Sequence, residues 1–143
     1  MVRPHPALLM FISFRHAEER IVAAIQEAGY DDITLAQARL MARVGPDGTR
    51  LTDLAEQAQV TKQTAGQMVD QLVRMGYAER RPDPSDGRAR LVCIAARGLE
   101  VQEVARRTEK VLEWEWAAHL GKERMAALRE ALEDLREVTD PYA

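Results

Sequence analysis

The chain carries one cysteine, Cys93, in 143 residues, which excludes an intramolecular disulfide and any multi-cysteine metal cluster. No apolar run approaches the ~18–20 residues of a membrane span. The opening M-V-R-P-H-P-A-L-L-M-F-I-S-F-R-H has one arginine, a brief apolar stretch and no small-residue cleavage site. It therefore reads as a first helix and not as a secretory leader. Catalytic patterns are missing as well: no nucleophile elbow, no phosphate-cradling glycine loop, no H-E-x-x-H and no close catalytic carboxylate pattern. His5, His16 and His119 are widely separated, without metal-ligand spacing. There are no internal repeats and no low-complexity tail. The expectation is a cytoplasmic protein that is not an enzyme and needs neither metal nor cofactor.

An overall excess of positive charge is lacking too. The net charge is −3, which at first argues against a nucleic-acid partner, but distribution matters more than the total. Between Arg74 and Arg97 six arginines (74, 80, 81, 88, 90, 97) face Glu79, Asp83 and Asp86, a local balance of +3. Residues 1–30 and 99–143 carry a balance of −4. Basic character is thus concentrated in one stretch.

What is present is helix, punctuated by a hairpin. Ala7 to Ala28 predicts a first helix, with Pro4 and Pro6 at its entry and Gly29 where a C-terminal cap belongs. Leu8, Phe11, Ile12, Ile21, Val22 and Ile25 recur at helical spacing, and the aromatic N-terminal end should meet another element or another chain. Thr34 with Gln37 predicts a capping box opening a second helix, which G-P-D-G at 45–48 ends. Thr49 to Leu51 predicts a short edge strand. Leu99 to about Leu120 predicts one long helix, and after Gly121 a last helix carries Met125, Leu128, Leu132 and Leu135. The stripes on these end helices fit either a monomer core or pairing between chains; helices at both ends of a compact domain favour pairing.

The centre of the chain, Leu51 to Gly98, reads as helix, turn, helix and two strands: a winged helix-turn-helix. Thr52 is the expected N-cap of Asp53–Ala58, Val60 fills the angle between the helices, and Thr61 caps the second helix. Ala65, Met68, Val69 and Leu72 form its buried side, which leaves Lys62, Gln63, Gly66, Gln67, Asp70 and Gln71 more outward. The N-terminal half of that face is what such a helix presents to a major groove, where glutamine bonds adenine and lysine reaches guanine or phosphate. Gly66 costs about 1 kcal/mol relative to alanine in a helix interior. Either close approach to DNA or close packing against a neighbour would account for it. The hairpin Tyr77–Arg81 / Arg90–Ala95, joined by P-D-P-S-D-G-R, is expected to project a tip bearing Arg88, with Asp86 orienting its guanidinium. An arginine there can enter a minor groove; alone, the stretch could also be a solvated arginine hairpin.

The segment L-A-E-Q-A-Q-V-T-K-Q-T-A-G-Q-M-V-D-Q-L-V-R-M-G-Y-A-E-R, with D-P-S-D-G-R-A-R-L-V and A-A-R-G, resembles the MarR family of bacterial transcriptional regulators. The D-x-R wing signature appears as Asp86-Gly87-Arg88, and the leucine–glycine–arginine spacing as Leu72, Gly76 and Arg80. The match covers about 48 residues, and the flanking helix order agrees. Two departures are Gln59, at a turn position where glycine is usual, and Ala65 in place of a branched residue. Gln59 predicts a relaxed turn; Ala65 predicts thinner packing under the second helix.

The resemblance implies a mainly α (α+β) fold and a roughly triangular homodimer. Residues 1–30 and 99–143 would form a dimerisation region and 31–98 the DNA-binding lobe. It also implies a repressor bound to a pseudo-palindromic operator in double-stranded DNA, released by a small anionic or aromatic ligand. On this chain Lys62, Gln63 and Gln67 would read bases, Thr61, Thr64 and Arg74 would hold phosphates, and Arg88, with Asp86 and Arg90, would serve the minor groove. Arg15, His16 and Arg20 are candidates to face an anionic ligand or to form interhelical salt bridges. The alternatives are a ligand-independent regulator of the same fold, or a protein-interaction module controlled by a partner. Cys93 is expected to be an ordinary strand residue.

Overall fold

In the computed structural model, which describes residues 1–143, six helices and three short strands follow one another in the order α1 (Pro6–Glu27), α2 (Leu35–Met41), β1 (Thr49–Arg50), α3 (Leu51–Ala58), α4 (Lys62–Arg74), β2 (Ala78–Asp83), β3 (Asp86–Ile94), α5 (Ala96–Leu120) and α6 (Lys122–Thr139). The strands form one antiparallel sheet in the order β1-β3-β2.

Local chemistry explains where the helices begin. The Thr34 hydroxyl accepts the Gln37 N–H (3.1 Å) and the Gln37 side chain accepts the Thr34 N–H (3.0 Å), the expected reciprocal cap. The buried Gln37 also donates to Gln71 at 2.8 Å, tying α2 to α4. Thr61 caps α4 as expected, accepting from the Thr64 N–H at 3.1 Å. Thr52 does not cap α3. That helix starts two residues earlier, because β1 runs straight into it and Arg50, in extended backbone, takes the cap position without a side-chain bond.

The turn between α3 and α4 is not relaxed. Gln59 sits in the left-handed region (φ 57°, ψ 43°), and its side-chain amide donates to the Glu56 carbonyl at 2.8 Å. A local hydrogen bond offsets part of the cost that a glycine would avoid.

Leu40, Leu54, Val69, Leu72 and Tyr77 are wholly buried at the centre of the lobe. Ile25 of α1 and Val101 and Val104 of α5 belong to the same cluster, so α1 and α5 are rooted in this core. Ala65, on the inner side of α4, is wholly buried.

Three side chains fix where α5 leaves the lobe. The Tyr77 hydroxyl donates to Asp32, the Arg97 guanidinium donates to Asp32 (2.9 Å) and to the Met75 carbonyl (3.0 Å), and it stacks 4.3 Å from the Tyr77 ring centre. The bonds from Tyr77 and Arg97 hold the Asp32 carboxyl below the usual range. Burial, then the Asp32 carboxylate, push the Tyr77 hydroxyl far up.

Candidate nucleic-acid interface

The free face of α4 is its N-terminal half. Asp70 is bonded by Arg80 (2.7 Å) and Gln71 by Gln37 (2.8 Å), so these two positions of the C-terminal half are committed to the protein. Lys62, Gln63 and Gln67 are exposed and make no side-chain bond within the chain. Gln63 and Gln67, four residues apart, share one face. The Thr61 hydroxyl is spent, accepting from the Thr64 N–H and donating to the Thr64 hydroxyl at 2.9 Å; the Thr64 hydroxyl keeps its own proton free to donate.

Gly66 has room for a side chain. A methyl built there would meet only the Leu51 Cδ2, at 3.7 Å, an ordinary contact. Packing does not demand glycine, so Gly66→Ala is expected to raise stability by up to about 1 kcal/mol through helix propensity. Thermal unfolding checks this; a lowered midpoint would mean that Leu51 cannot accommodate the methyl.

The wing differs from its expected form. Its strands run on to Asp83 and Asp86, and the connection is a two-residue turn, Pro84-Ser85. Asp83 makes so short a turn possible. One of its oxygens accepts the Ser85 N–H (2.9 Å) and hydroxyl (2.7 Å), while the other accepts from Arg50 at 2.8 Å. The bonds from Ser85, then Arg50, hold this nearly buried carboxyl below the usual range. What projects is a bulge instead of a long loop. The register steps from Pro82 opposite Arg90 to Asp83 opposite Asp86, leaving Gly87, Arg88 and Ala89 unpaired on β3.

Arg88 therefore stands on the bulge, exposed and without an internal partner. Asp86 does not hold its guanidinium; the Asp86 carboxylate accepts the Arg88 backbone N–H at 3.1 Å and so shapes the bulge.

The six arginines of the basic stretch divide into two sets. Arg97 is turned inward onto Tyr77, Arg80 bonds Asp70 and Arg81 bonds Glu79. Arg74, Arg88 and Arg90 have no carboxylate partner and remain exposed. Sequence reading missed Arg50, Asp83 and the Asp32–Tyr77–Arg97 node. The D-P-S string, a turn-forming Asp two residues before Ser, is the one local signal that pointed to Asp83.

Of the candidate ligand residues Arg15, His16 and Arg20, the two arginines each face a carboxylate of this chain. Arg20 makes a two-pronged pair with Glu115 of α5 (2.8 and 3.1 Å), which holds the Glu115 carboxyl below its usual range, and Arg15 reaches Glu19 at 4.0 Å and lies over the Phe11 ring. His16 is exposed. A cleft of about 570 Å³ lies instead between α1, α2 and α5, lined by Phe14, Ile21, Leu35, Met41 and Val101. Arg39 and Arg43 also line it, the first bonded to Glu18 at 2.7 and 2.8 Å. Cys93 is a buried residue of β3.

A capped helix with a free polar N-terminal face, packed on a second helix and flanked by a bulged hairpin, defines a winged helix-turn-helix protein. The MarR family's sequence pattern matches residues 31–89. An uncharacterized HTH-type transcriptional regulator of Mycobacterium bovis is 30% identical over 104 residues, covering 72% of this chain and 67% of that protein. Among solved structures, a transcriptional regulator from Thermotoga maritima is 27% identical with a TM-score of 0.66, over 94% of this chain and 92% of that one. The reduced form of MarR from E. coli shares the fold, at 21% identity and a TM-score of 0.75, over 94% of this chain and 98% of that one. The chain belongs to the MarR family of DNA-binding transcriptional regulators. It is a regulator, not an enzyme.

Proposed function

We propose that the chain is a homodimeric repressor that reads a pseudo-palindromic operator and is released by a small anionic or aromatic ligand. The observation that carries this reading is the set of unpartnered polar groups on the free face of α4, with unpaired Arg88 on the adjacent bulge. Gln63 and Gln67 would read bases, Thr64 and Arg74 would hold phosphates, and Arg88 and Arg90 would serve the minor groove and its walls.

Residues 31–98 would be the DNA-binding lobe, and residues 1–30 and 99–143 the dimerisation region. The support for pairing is apolar surface left in water: Phe11, Phe14, Trp114 and Val138 are 55%, 58%, 72% and 82% exposed. The support for a ligand is the apolar cleft between α1, α2 and α5, with Arg43 on its lining to meet a carboxylate or phenolate. A ligand that prefers the cleft in a non-binding arrangement of the two lobes lowers DNA affinity by its differential affinity for the two states.

One experiment tests the reading: a gel shift with DNA from upstream of the chain's own gene, with footprinting, repeated with aromatic carboxylates. The expected result is two protected half-sites about one helical turn apart, and release by at least one such anion. Binding that no anion alters would favour the ligand-independent regulator. No binding to any upstream DNA would sink the repressor reading.

A further inference from the structure

Beside the free face of α4 lies a second cleft, of about 370 Å³, between the starts of α3 and α4 and the wing sheet. Its walls carry four cations, Arg50, Lys62, Arg80 and Arg90, together with Thr52, over an apolar floor that includes Leu51 and Val92. We infer that this cleft is a seat for one phosphodiester of the bound DNA, and that Lys62 belongs to it as a phosphate ligand and not as a base reader.

The assignment rests on helix geometry and charge. Lys62, Gly66 and Asp70 recur every four residues on one face of α4. That face looks at α3 and the wing: Gly66 neighbours Leu51, and Asp70 bonds Arg80 at 2.7 Å. Gln63 and Gln67 lie one position further on, about 100° around the helix. Lys62 thus points into the cleft while the two glutamines point away from it.

The charges are only partly neutralised. Asp83 pairs with Arg50 (2.8 Å) and Asp70 with Arg80, and Asp53 and Asp86 lie near Arg50 without bonding it. Lys62 and Arg90 have no ion-pair partner. Two uncompensated cations and a free Thr52 hydroxyl converge on a site with no internal anion between them. The internal pairs hold the Arg50 and Arg80 guanidinium groups in place on the lining, so their remaining N–H groups need little ordering when a phosphate arrives.

This inference rests on the DNA-binding reading, and the test separates the two. Binding of wild type, K62Q, R80Q and R80K to a fluorescent upstream duplex and to a scrambled duplex is measured by anisotropy, from about 50 to 200 mM salt. K62Q and R80Q should weaken both duplexes by the same factor. Each should lower the steepness of log K against log salt by about 0.9 per occupied seat. R80K, which keeps the charge, should keep the wild-type slope. K62Q should unfold at the wild-type temperature, since Lys62 touches no partner, so its result stands even if R80Q is destabilised by loss of the Asp70 bond. Gln67→Ala, by contrast, should change the preference between the two duplexes.

An unchanged slope in K62Q overturns the seat, as does a loss confined to the upstream duplex, which would make Lys62 a base reader. Inorganic phosphate, matched to chloride in ionic strength, should not displace DNA better than chloride. If it does, and K62Q abolishes the effect, the cleft takes a free anion and the DNA assignment fails. If wild type binds neither duplex, the DNA-binding reading falls with it.

Discussion

Gly98→Ala is expected to destabilise the protein by about 3 kcal/mol, more than one added methyl usually costs in a packed core. A Cβ at position 98 would lie 2.2 Å from the Tyr77 carbonyl oxygen and 2.7 Å from the Ile94 Cγ2. The nearer neighbour, the Tyr77 backbone, is not free to give. The Tyr77 carbonyl accepts the Ala95 N–H at 3.0 Å, so moving it breaks the bond that joins β2 to the start of α5. The Tyr77 ring is wholly buried, its hydroxyl is held by Asp32, and Arg97 stacks on its face. The methyl must therefore lift α5 off the lobe or displace the whole node. Overpacking of about 1–3 kcal/mol plus one strained hydrogen bond gives the figure. At this chain length the melting midpoint should fall by roughly 10 °C. A midpoint within two or three degrees of wild type would show that α5 slides away freely.

The contrast with Gly66 shows what the sequence could and could not convey. Both are glycines inside helices, and both invite the question of close approach. Only coordinates distinguish the open space beside Leu51 from the carbonyl of a residue 21 positions away. Features within one turn of chain were legible. Thr34 with Gln37, Thr61 before its helix and the break at Gly121 all act on near neighbours, and each appears where expected, whereas α2 already ends at Met41, ahead of the G-P-D-G run at 45–48. Gln59 was legible in cost and not in outcome: the left-handed conformation is kept, with a bond to Glu56 in support.

Features that depend on distant partners were hidden. Asp83 reads as a loop residue until Arg50, 33 positions earlier, is brought against it. The turn then tightens to two residues and the projecting part becomes the bulge. Arg97 adds to the basic count of the wing in the sequence but faces Asp32, 65 positions away, and not DNA. Arg20 had two open readings in the sequence, and a partner 95 positions away makes it an interhelical salt bridge. In each case the residue's chemistry was evident and its counterpart was not. The set proposed to meet DNA was easier to pick out because it is defined by lacking a counterpart within the chain.

Arg88→Ala should reduce operator affinity by about 10- to 100-fold per wing while leaving the melting midpoint unchanged. The size follows from about 1–3 kcal/mol for one specific arginine contact, at 1.4 kcal/mol per tenfold. The unchanged midpoint follows from the structure, because the Arg88 side chain is exposed and bonds nothing in the protein. Asp86 makes the prediction sharper. Its carboxylate holds the Arg88 N–H at 3.1 Å and does not touch the guanidinium, so its role is to shape the bulge from which Arg88 is presented. Asp86→Ala should then weaken DNA binding by itself, yet add little once Arg88 is gone. Residues acting through one contact are not additive, and a double-mutant cycle measures the shortfall. Two independent losses that sum in the double variant would mean that Asp86 acts elsewhere, on Arg50 for example. An unchanged affinity in Arg88→Ala would remove the wing from recognition and leave α4 and its neighbouring cleft as the whole DNA-binding surface.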